Sequence, residues 1–261
     1  MHELTILKIG GNVLDNQELL PLMLDSFAAM EGHKMLIHGG GKIASELMKQ
    51  LGIEPKMVDG RRITDEKTLE VVTMVYGGLI NKSLVCQLQA RGCNAIGLTG
   101  ADANIIPARK RPVKEIDYGF VGDIETSEIN AGALTQLIND NMVPVFAPLT
   151  HDSHGSMLNT NADTIASSVA VSLSANFKVK LIYCLEKKGV LSNPENENSV
   201  LSHINQELYY EYRELGAIHS GMVPKLDNAF NALKAGVSEI VICGPDAFKK
   251  ENANFGTSIH L

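Results

Sequence analysis

Short apolar runs alternate along the chain with longer stretches in which apolar residues recur at helical spacing. A continuous apolar run of roughly four to eight residues is typical of a strand that is buried on both faces of a parallel sheet. Strands that alternate with helices predict an α/β fold, with a parallel sheet and helices on both of its faces. The predicted strands comprise residues 4–7, 34–37, 94–98, 143–146, 179–184, 240–243 and 257–260.

The longest predicted helix covers residues 65–91 and has too many apolar positions for a single stripe. Such a helix packs on several sides, so we interpret it as a central spine and as a contact between two subunits. Two hairpins are also predicted, one over residues 57–64 with its turn at Asp59 and Gly60, and one over residues 105–124. The other predicted helices comprise residues 42–51, 131–140, 161–173, 206–215 and 224–233, and one that Asp15 or Asn16 caps and that ends near residue 30.

The composition is that of a globular protein, with 44% hydrophobic residues and a formal net charge of −7. An acidic chain of this kind lacks the basic surface of general nucleic-acid binders. No apolar run approaches the roughly 20 residues that span a bilayer, and the first strand leaves no room for a signal peptide. The four cysteines are scattered and include no C-x-x-C pair. We therefore expect a cytoplasmic protein with no nucleic-acid or membrane partner.

Glycines follow the first two predicted strands, as Gly10-Gly11 and as Gly39-Gly40-Gly41. Glycine lets a ligand approach the backbone closely, and it can adopt left-handed angles that turn several N–H groups toward an anion. Lys8, two residues before the first pair, adds a mobile positive charge. These segments indicate a phosphate site at the ends of two neighbouring strands, although a glycine turn beside a surface lysine would have the same sequence.

The second glycine run also fits the loose dinucleotide pattern G-x-G-x-x-[GA] through Ala44, with Asp59 at the expected distance. That pattern belongs on the first strand–helix unit of a dinucleotide-binding fold, whereas here it follows the second strand. A dinucleotide-binding oxidoreductase would also leave Lys8, Asp163 and Lys225 without roles. The P-loop pattern G-x-x-x-x-G-K-[ST] is absent from the sequence.

Phosphoryl transfer would use all of these residues. It depends on positioning and on the stabilisation of negative charge, which lysines and backbone N–H groups supply. Lys8 and Lys225 would provide the positive charge, and two ammonium groups in one cleft repel each other unless a carboxylate lies between them. Asp163 is the candidate carboxylate, although an acid in the first turn of a helix also has a purely structural explanation.

Taken in order, the motifs resemble those of the acetylglutamate kinases, which belong to the amino-acid kinase superfamily. The resemblance covers nearly the whole chain, from Lys8 to Thr257. The arginine of Gly-x-Arg-x-Thr and the Asn-x-Asn-Ala-Asp block separate this family from the aspartate, carbamate and uridylate kinases. The matching motifs are Lys8-x-Gly10-Gly11, His38-Gly39-Gly40-Gly41, Gly60-x-Arg62-x-Thr64, Asn81-Lys82, Asn159-x-Asn161-Ala162-Asp163 and Gly221-Met222-x-Pro224-Lys225.

The resemblance implies the amino-acid kinase fold, a three-layer αβα sandwich with a largely parallel central sheet. It implies an acyl-amino-acid-binding lobe in residues 1–175 and a nucleotide-binding lobe in residues 176–261, within one continuous fold. It also implies a homodimer across the long helix, and an enzyme of arginine biosynthesis that uses ATP with Mg²⁺ to phosphorylate the γ-carboxylate of N-acetyl-L-glutamate. Arginine-inhibited members carry an additional N-terminal helix, for which the residues before Lys8 leave no room, so we expect no inhibition by arginine.

Each site residue receives a role from the same resemblance. As catalytic residues, Lys8 would stabilise the transferred phosphoryl group, Lys225 the leaving phosphate, and Asp163 would orient both lysines. The residues implied in binding the acyl amino acid are Gly40 and Gly41 at the γ-carboxylate, Arg62 at the α-carboxylate, and Asn159. The residues implied in binding ATP are Lys8, Gly10, Gly11, Gly189, Gly221 and Lys225.

A carboxylate acceptor has independent support, because no general base is evident in these motifs. A hydroxyl nucleophile would need one, whereas a glutamate γ-carboxylate, with a pKa of about 4.3, is already ionised at neutral pH. We interpret His38 as a hydrogen-bonding residue at a strand end, and His151 and His154 do not amount to a metal site. Mg²⁺ is expected to come with ATP, held by phosphates and water.

Two further alternatives remain open at this point. N-succinyl-L-glutamate could replace the acetyl compound, because the sequence does not fix the size of the acyl pocket, and Ala101-Asp102-Ala103 stands where the family often has Lys-Asp-Gly. A non-catalytic module that binds an amino acid or a nucleotide is the other alternative, although the presence of Lys8, Asp163 and Lys225 together argues for catalysis.

Overall fold

The strands of the described part of the protein assemble into one large sheet and three small ones. The computed structural model describes residues 1–58, 60–218, 222–248 and 256–261. The predictions for Asp59 and Gly221 therefore lie outside the described residues. The strands in chain order are β1 (His2–Ile9), β2 (His33–His38), β3 (Met57–Val58), β4 (Arg61–Arg62), β5 (Ala95–Leu98), β6 (Arg109–Lys110), β7 (Gly122–Asp123), β8 (Val143–Phe146), β9 (Leu149–His151), β10 (Met157–Asn159), β11 (Phe177–Cys184), β12 (His203–Ile204), β13 (Glu239–Cys243) and β14 (Thr257–Ile259).

The large sheet has the strand order β12-β14-β13-β11-β1-β2-β8-β5. Its strands from β13 to β5 run parallel, while β14 is antiparallel to β13 and parallel to β12. The predicted α/β class with a largely parallel sheet is confirmed. Strand β1 pairs with β11 from His2↔Phe177 to Ile9↔Cys184. Strands from before and after residue 175, the predicted lobe boundary, therefore belong to one continuous sheet. The division of the chain into two lobes stays a prediction.

Helices cover this sheet in the predicted order, except that one short helix was not predicted and the helix after it begins later than expected. A short first helix follows Gly10 directly, and the next helix begins at Leu19, after the Asn16 side chain has accepted the N–H groups of Glu18 and Leu19. The helices are α1 (Gly11–Leu14), α2 (Leu19–Ala29), α3 (Gly41–Gln50), α4 (Glu66–Val72), α5 (Asn81–Gln89), α6 (Ala131–Asn139), α7 (Ala162–Leu173), α8 (Gln206–Glu214) and α9 (Val223–Lys234).

The two faces of the sheet carry separate hydrophobic cores. Successive side chains of a strand point to opposite faces. Leu4 and Ile6 of β1 pack with α6 to α9, whereas Leu7 and Ile9 pack with α2 to α5. Helices therefore cover both faces of the sheet, which confirms the three-layer αβα sandwich.

The predicted spine is a continuous helical segment, Glu66–Gln89, whose middle part Thr73–Ile80 is a π-helix between α4 and α5. By length and composition alone this helix could cross a membrane, but 39% of its apolar window is buried inside the protein. Core helices of soluble proteins have the same properties. Met74 and Leu79 remain exposed on its outer side.

Both predicted hairpins are confirmed as short antiparallel pairs, β3 with β4 and β6 with β7. Three strands were not predicted: β9, β10 and β12. Each has only two or three residues, too few to show a hydrophobic period. Strand β10 nevertheless positions a predicted site residue, Asn159, at its end.

Candidate active site

The two glycine segments lie side by side at the carboxyl ends of β1 and β2, two neighbouring interior strands of the large sheet. Strands β1 and β2 are parallel neighbours with Ile9 opposite His38, so the glycines that follow them meet. The Gly39 N–H donates to the Ile9 carbonyl over 3.0 Å, and a Cβ placed on Gly39 would lie 3.5 Å from the Gly11 nitrogen. Gly10 does not use the left-handed backbone that glycine permits, since its φ is −81°. That backbone occurs at Gly40, whose φ is +146°.

Lys8 meets Asp163 because the alternation of β1 turns its side chain toward α7. Leu4, Ile6 and Lys8 share the face that α7 covers. Asn161 caps α7 by accepting the N–H groups of Asp163 and Thr164, which places Asp163 in the first turn. Lys8 Nζ then lies 2.6 Å from Asp163 Oδ1, with Lys8 only 6% and Asp163 only 9% exposed.

Lys225 reaches the other oxygen of the same carboxylate. Helix α9 has Pro224 in its first turn, and the Lys225 ammonium group donates a hydrogen bond to Asp163 Oδ2. Burial alone would raise the pKa of Asp163, but the positive charges of Lys8 and Lys225 outweigh it and lower the pKa to about 2. One ionised carboxylate therefore holds two ammonium groups together.

Lys8, Asp163 and Lys225 form the charged group of the site. Most of the predicted site residues line one cavity, of about 210 Å³, at this charged group. Lys225 contacts Asp163 without lining the cavity itself. The predicted residues in the lining are Lys8, Gly10, Gly11, Gly40, Gly41, Arg62, Asn159 and Asp163.

Arg62 and Asn159 both line this cavity and are held by hydrogen bonds within the protein. The buried Arg62 guanidinium donates from Nη2 to the Gly41 carbonyl over 2.8 Å and to Ser45 Oγ over 2.7 Å. Asn159 Nδ2 donates to Thr64 Oγ1 over 3.0 Å. Both polar groups are thus held at the wall of the cavity by hydrogen bonds within the protein.

Gly189 lies elsewhere, in a small hollow lined by Lys187, Leu191, Pro194 and Met222. A Cβ on Gly189 would lie 2.7 Å from Thr257 Oγ1, so packing within the protein already requires glycine there. Met222 stands next to the start of α9 and three residues before Lys225. The hollow is therefore connected along the chain to the charged group.

Sequence reasoning missed Tyr76 in the cavity wall. This tyrosine is on the π-helical part of the spine and is 4% exposed. Burial raises the pKa of its hydroxyl, with the Arg62 charge acting in the opposite direction. The sequence could not predict that Tyr76 faces the cavity, because the surrounding segment is apolar on all sides and shows no single face.

The histidines that the structure describes belong to no cluster that could hold a metal ion. His38 is completely buried, and burial outweighs its hydrogen bond to Gly39 and lowers its pKa to about 4. Among the described residues there is no group of three or more His, Cys, Asp or Glu side chains that could hold a metal ion. Both oxygens of Asp163 already contact ammonium groups. The side chains of this site therefore suit an anionic ligand rather than a resident cation.

Comparison with known proteins gives matches over nearly the whole chain. Residues 3–244 match the profile of the amino acid kinase family. Acetylglutamate kinase of Cytophaga hutchinsonii is 54% identical over 263 residues, with 99% of each chain covered. Acetylglutamate kinase of Bacteroides fragilis is 57% identical over 241 residues, with 92% of each covered. N-acetylglutamate synthase of Neisseria gonorrhoeae, solved with coenzyme A and N-acetyl-glutamate, shares the fold with a TM-score of 0.82 at 23% identity, and the match covers 99% of this chain and 59% of that one.

Proposed function

The chain belongs to the amino acid kinase family, and we propose that it transfers the γ-phosphoryl group of ATP to the γ-carboxylate of N-acetyl-L-glutamate. A γ-carboxylate oxygen forms the new bond to phosphorus while the bond between that phosphorus and the β–γ bridging oxygen breaks. The products are ADP and N-acetyl-L-glutamyl 5-phosphate, and the reaction is a step of arginine biosynthesis. The observation that carries this proposal is the Asp163 carboxylate between Lys8 and Lys225, at the wall of a glycine-lined cavity.

The two lysines would stabilise negative charge on different groups, one on the transferred phosphoryl group and the other on the leaving phosphate. Lys8 would contact the γ-phosphoryl group together with the N–H of Gly11, which opens α1 and so has no partner within the helix. Lys225 would stabilise the negative charge that develops on the leaving phosphate. Asp163 keeps two ammonium groups, which would otherwise repel each other, in a fixed arrangement.

The acceptor would contact both the second glycine segment and Arg62, which line the same cavity. Backbone N–H groups of Gly40 and Gly41 would bind its γ-carboxylate, and the Arg62 guanidinium its α-carboxylate. Asn159 would contact the α-side of the substrate from β10. The ionisable side chain beside the lysines is a carboxylate with a pKa of about 2. Because such a group is a poor base at neutral pH, an acceptor that is already ionised fits this site.

The relatives favour this substrate over the alternatives. Proteins 54–57% identical over nearly the full length are named acetylglutamate kinases, which favours the acetyl over the succinyl compound. The kinase family disfavours a dinucleotide-binding oxidoreductase. The ion-paired lysines argue against a module without catalysis, since their charge suits a transferred phosphoryl group.

The nucleotide would occupy the side of the cavity nearer α9, in contact with the lobe of residues 176–261. Its phosphates would lie against Lys8, Gly10, Gly11 and Lys225, and Gly189 and Gly221 would contribute beyond them. Mg²⁺ would neutralise charge on the phosphates and would be held by phosphate oxygens and water, as is usual for nucleotide-bound magnesium. The acyl amino acid would bind within residues 1–175.

We also propose a cytoplasmic homodimer that forms across the spine helix. Met74 and Leu79 are 56% and 61% exposed there, and large exposed apolar side chains on one helix suit a subunit contact. Light scattering tests this arrangement: a dimer is expected for the natural chain and a monomer for a Leu79→Glu variant. A natural chain that is monomeric at micromolar concentration would overturn it.

The direct test of the activity is an assay that traps the acyl phosphate with hydroxylamine. It uses ATP and Mg²⁺ with N-acetyl-L-glutamate, N-succinyl-L-glutamate and free glutamate in parallel. Turnover of the acetyl compound is expected, with losses of at least about a hundredfold in Lys8→Ala and Lys225→Ala. Preference for the succinyl compound would change the substrate and keep the mechanism. No trapped product with any acceptor would overturn the assignment.

A further inference from the structure

His38 is a buried polar side chain that the proposed chemistry does not use. It ends β2 and is 0% exposed. Its neighbours on β2 alternate between the two cores, and His38 points to the face covered by α5, away from the lysines. Buried polar groups are nearly always hydrogen-bonded, so the bonds of this ring have to be accounted for.

Asn81 determines which nitrogen of that ring carries the proton. Its Nδ2 donates one hydrogen to the Val145 carbonyl over 2.8 Å, which fixes the orientation of the amide. The second hydrogen of the same nitrogen faces His38 Nε2 at 3.2 Å. Nε2 must therefore accept, and the neutral ring carries its proton on Nδ1. Nδ1 in turn lies 2.7 Å from the Gly39 carbonyl oxygen, to which it donates.

This chain of hydrogen bonds fixes the peptide between Gly39 and Gly40. The Gly39 N–H is held by the Ile9 carbonyl over 3.0 Å, and the Gly39 carbonyl is held by His38. In a planar trans peptide the carbonyl of one residue and the N–H of the next point in opposite directions. Holding the Gly39 carbonyl toward His38 therefore directs the Gly40 N–H away from it. Within the described part of the chain, that N–H has no hydrogen-bond acceptor.

We propose that His38 and Asn81 are positioning residues that aim the Gly40 N–H at the γ-carboxylate of the acceptor. The inference rests on the proposed function and extends it to two residues that touch neither substrate. The hydrogen bond of His38 prevents the Gly39–Gly40 peptide from turning, which glycines on both sides would otherwise permit. The donor is thus already in place before the substrate binds, as electrostatic stabilisation of a transition state requires.

Two amide variants separate this role from simple packing. His38→Asn carries an N–H near the position of Nδ1 and can still donate to the Gly39 carbonyl. His38→Gln places its amide near the position of Nε2, where it can contact Asn81 but not Gly39. Each variant puts a neutral polar side chain into the same buried position. Leu36→Val, on the same strand and face, is the control for loss of packing alone.

The measurements are kcat and KM for N-acetyl-L-glutamate and for ATP, with a thermal melt of each variant. His38→Gln should lose about tenfold in kcat/KM for the acyl substrate, with the KM for ATP unchanged, and His38→Asn should retain most of the natural value. Equal losses in the two variants, or equal losses for both substrates, would mean a structural role and would overturn the proposal. An active natural enzyme with an unaffected His38→Gln variant would overturn it too, whereas an inactive natural enzyme would overturn the proposed function.

Asn81→Ser provides a second route if the His38 variants do not fold. It leaves the imidazole in place and removes the donor that keeps the proton on Nδ1, so part of the rings should adopt the other tautomer. A smaller loss, about two- to fivefold, is expected in kcat/KM for N-acetyl-L-glutamate and not in the KM for ATP. Natural kinetics in a folded Asn81→Ser variant would contradict the role of Asn81.

Discussion

The side chain of Ile80 fills the space that any side chain on Gly40 would need. A Cβ placed on Gly40 would lie 2.3 Å from Ile80 Cδ1, and the φ of +146° at Gly40 is a conformation that other residues rarely adopt. The spine helix and the glycine segment are therefore fitted to each other, and the position of the Gly40 N–H depends on that fit.

Gly40→Ala should consequently impair both stability and activity. Relief of the contact requires Ile80 or the glycine segment to move, and the strained backbone alone costs about 1–3 kcal/mol. For a chain of this size we expect a fall in Tm of roughly 2–10 °C. The shifted N–H should lower kcat/KM for the acyl substrate. Thermal melts and steady-state kinetics measure the two effects.

Gly11→Ala is the matched variant with the opposite expectation for stability. Apart from its chain neighbours and the backbone of its own helix, no protein atom lies within 4 Å of a Cβ at Gly11, although Gly11 lines the cavity. The Tm should therefore stay within about 2 °C of the natural value, because surface-like changes cost roughly 0.5 kcal/mol or less. Activity should nevertheless fall, since the new methyl group enters the space of the ligand. Full activity in Gly11→Ala would place the phosphates elsewhere.

Arg62→Lys should not behave as a conservative change. The planar guanidinium lines the cavity and donates to both Gly41 and Ser45, a geometry that a lysine ammonium cannot reproduce. The KM for N-acetyl-L-glutamate should rise about tenfold or more, with the KM for ATP unchanged. Arg109→Lys, at an exposed surface ion pair, is the control and should leave both constants as they are. An Arg62→Lys enzyme with natural kinetics would remove Arg62 from the substrate site.

Tyr76 supports two glycines of the site at once. Its ring carbons would lie 3.1 and 3.2 Å from a Cβ on Gly40, and its hydroxyl 4.0 Å from one on Gly41. Tyr76→Leu should raise the KM for the acyl substrate several-fold and destabilise the protein by about 1–3 kcal/mol, because the ring leaves a cavity. Tyr76→Phe keeps the ring and should change the KM by less than about threefold. Kinetics and urea unfolding distinguish the outcomes, and a larger effect in Tyr76→Phe would make the hydroxyl a direct ligand of the substrate.

The charged group of the site could be predicted because each of its residues follows from a local rule. Lys8 lies two positions after Ile6 and so shares its face of the strand. Asn161 is a typical cap, which puts Asp163 in the first turn of α7, and Pro224 similarly marks the first turn of α9 before Lys225. The parallel order of the sheet then brings these elements to one edge.

The wall of the cavity could not be predicted in the same way. The π-helix over Thr73–Ile80 turns Tyr76 and Ile80 toward the glycine segment, and its sequence is apolar all round with two central glycines. A departure of this kind from α-helical geometry is decided by packing in the folded protein. The short strand β10 was not predicted for a related reason, since its three residues form a strand only because β9 lies beside them.

Asp163 should give the protein a stability that depends on pH in an acidic window. Its pKa is lowered from 3.8 to about 2 in the folded protein, so between about pH 4 and pH 2 the unfolded chain binds a proton that the folded one does not. The free energy of unfolding should therefore fall as the pH falls through this window, by about 2 kcal/mol from this carboxylate, and the contribution should be complete above pH 4.

The Asp163→Asn variant tests this prediction, because it removes the pH-dependent contribution and leaves two uncompensated ammonium groups. The natural chain should thus exceed the variant in stability most strongly above pH 4, with the difference shrinking toward pH 2.5 in urea unfolding. His38, whose pKa of about 4 also lies in this range, is present in both proteins and cancels in the difference. The exposed Asp140→Asn change is the control and should alter the free energy of unfolding by less than roughly 0.5 kcal/mol. A difference between Asp163→Asn and the natural chain that stays constant down to pH 2.5 would mean that the two lysines do not hold this carboxylate in its ionised form.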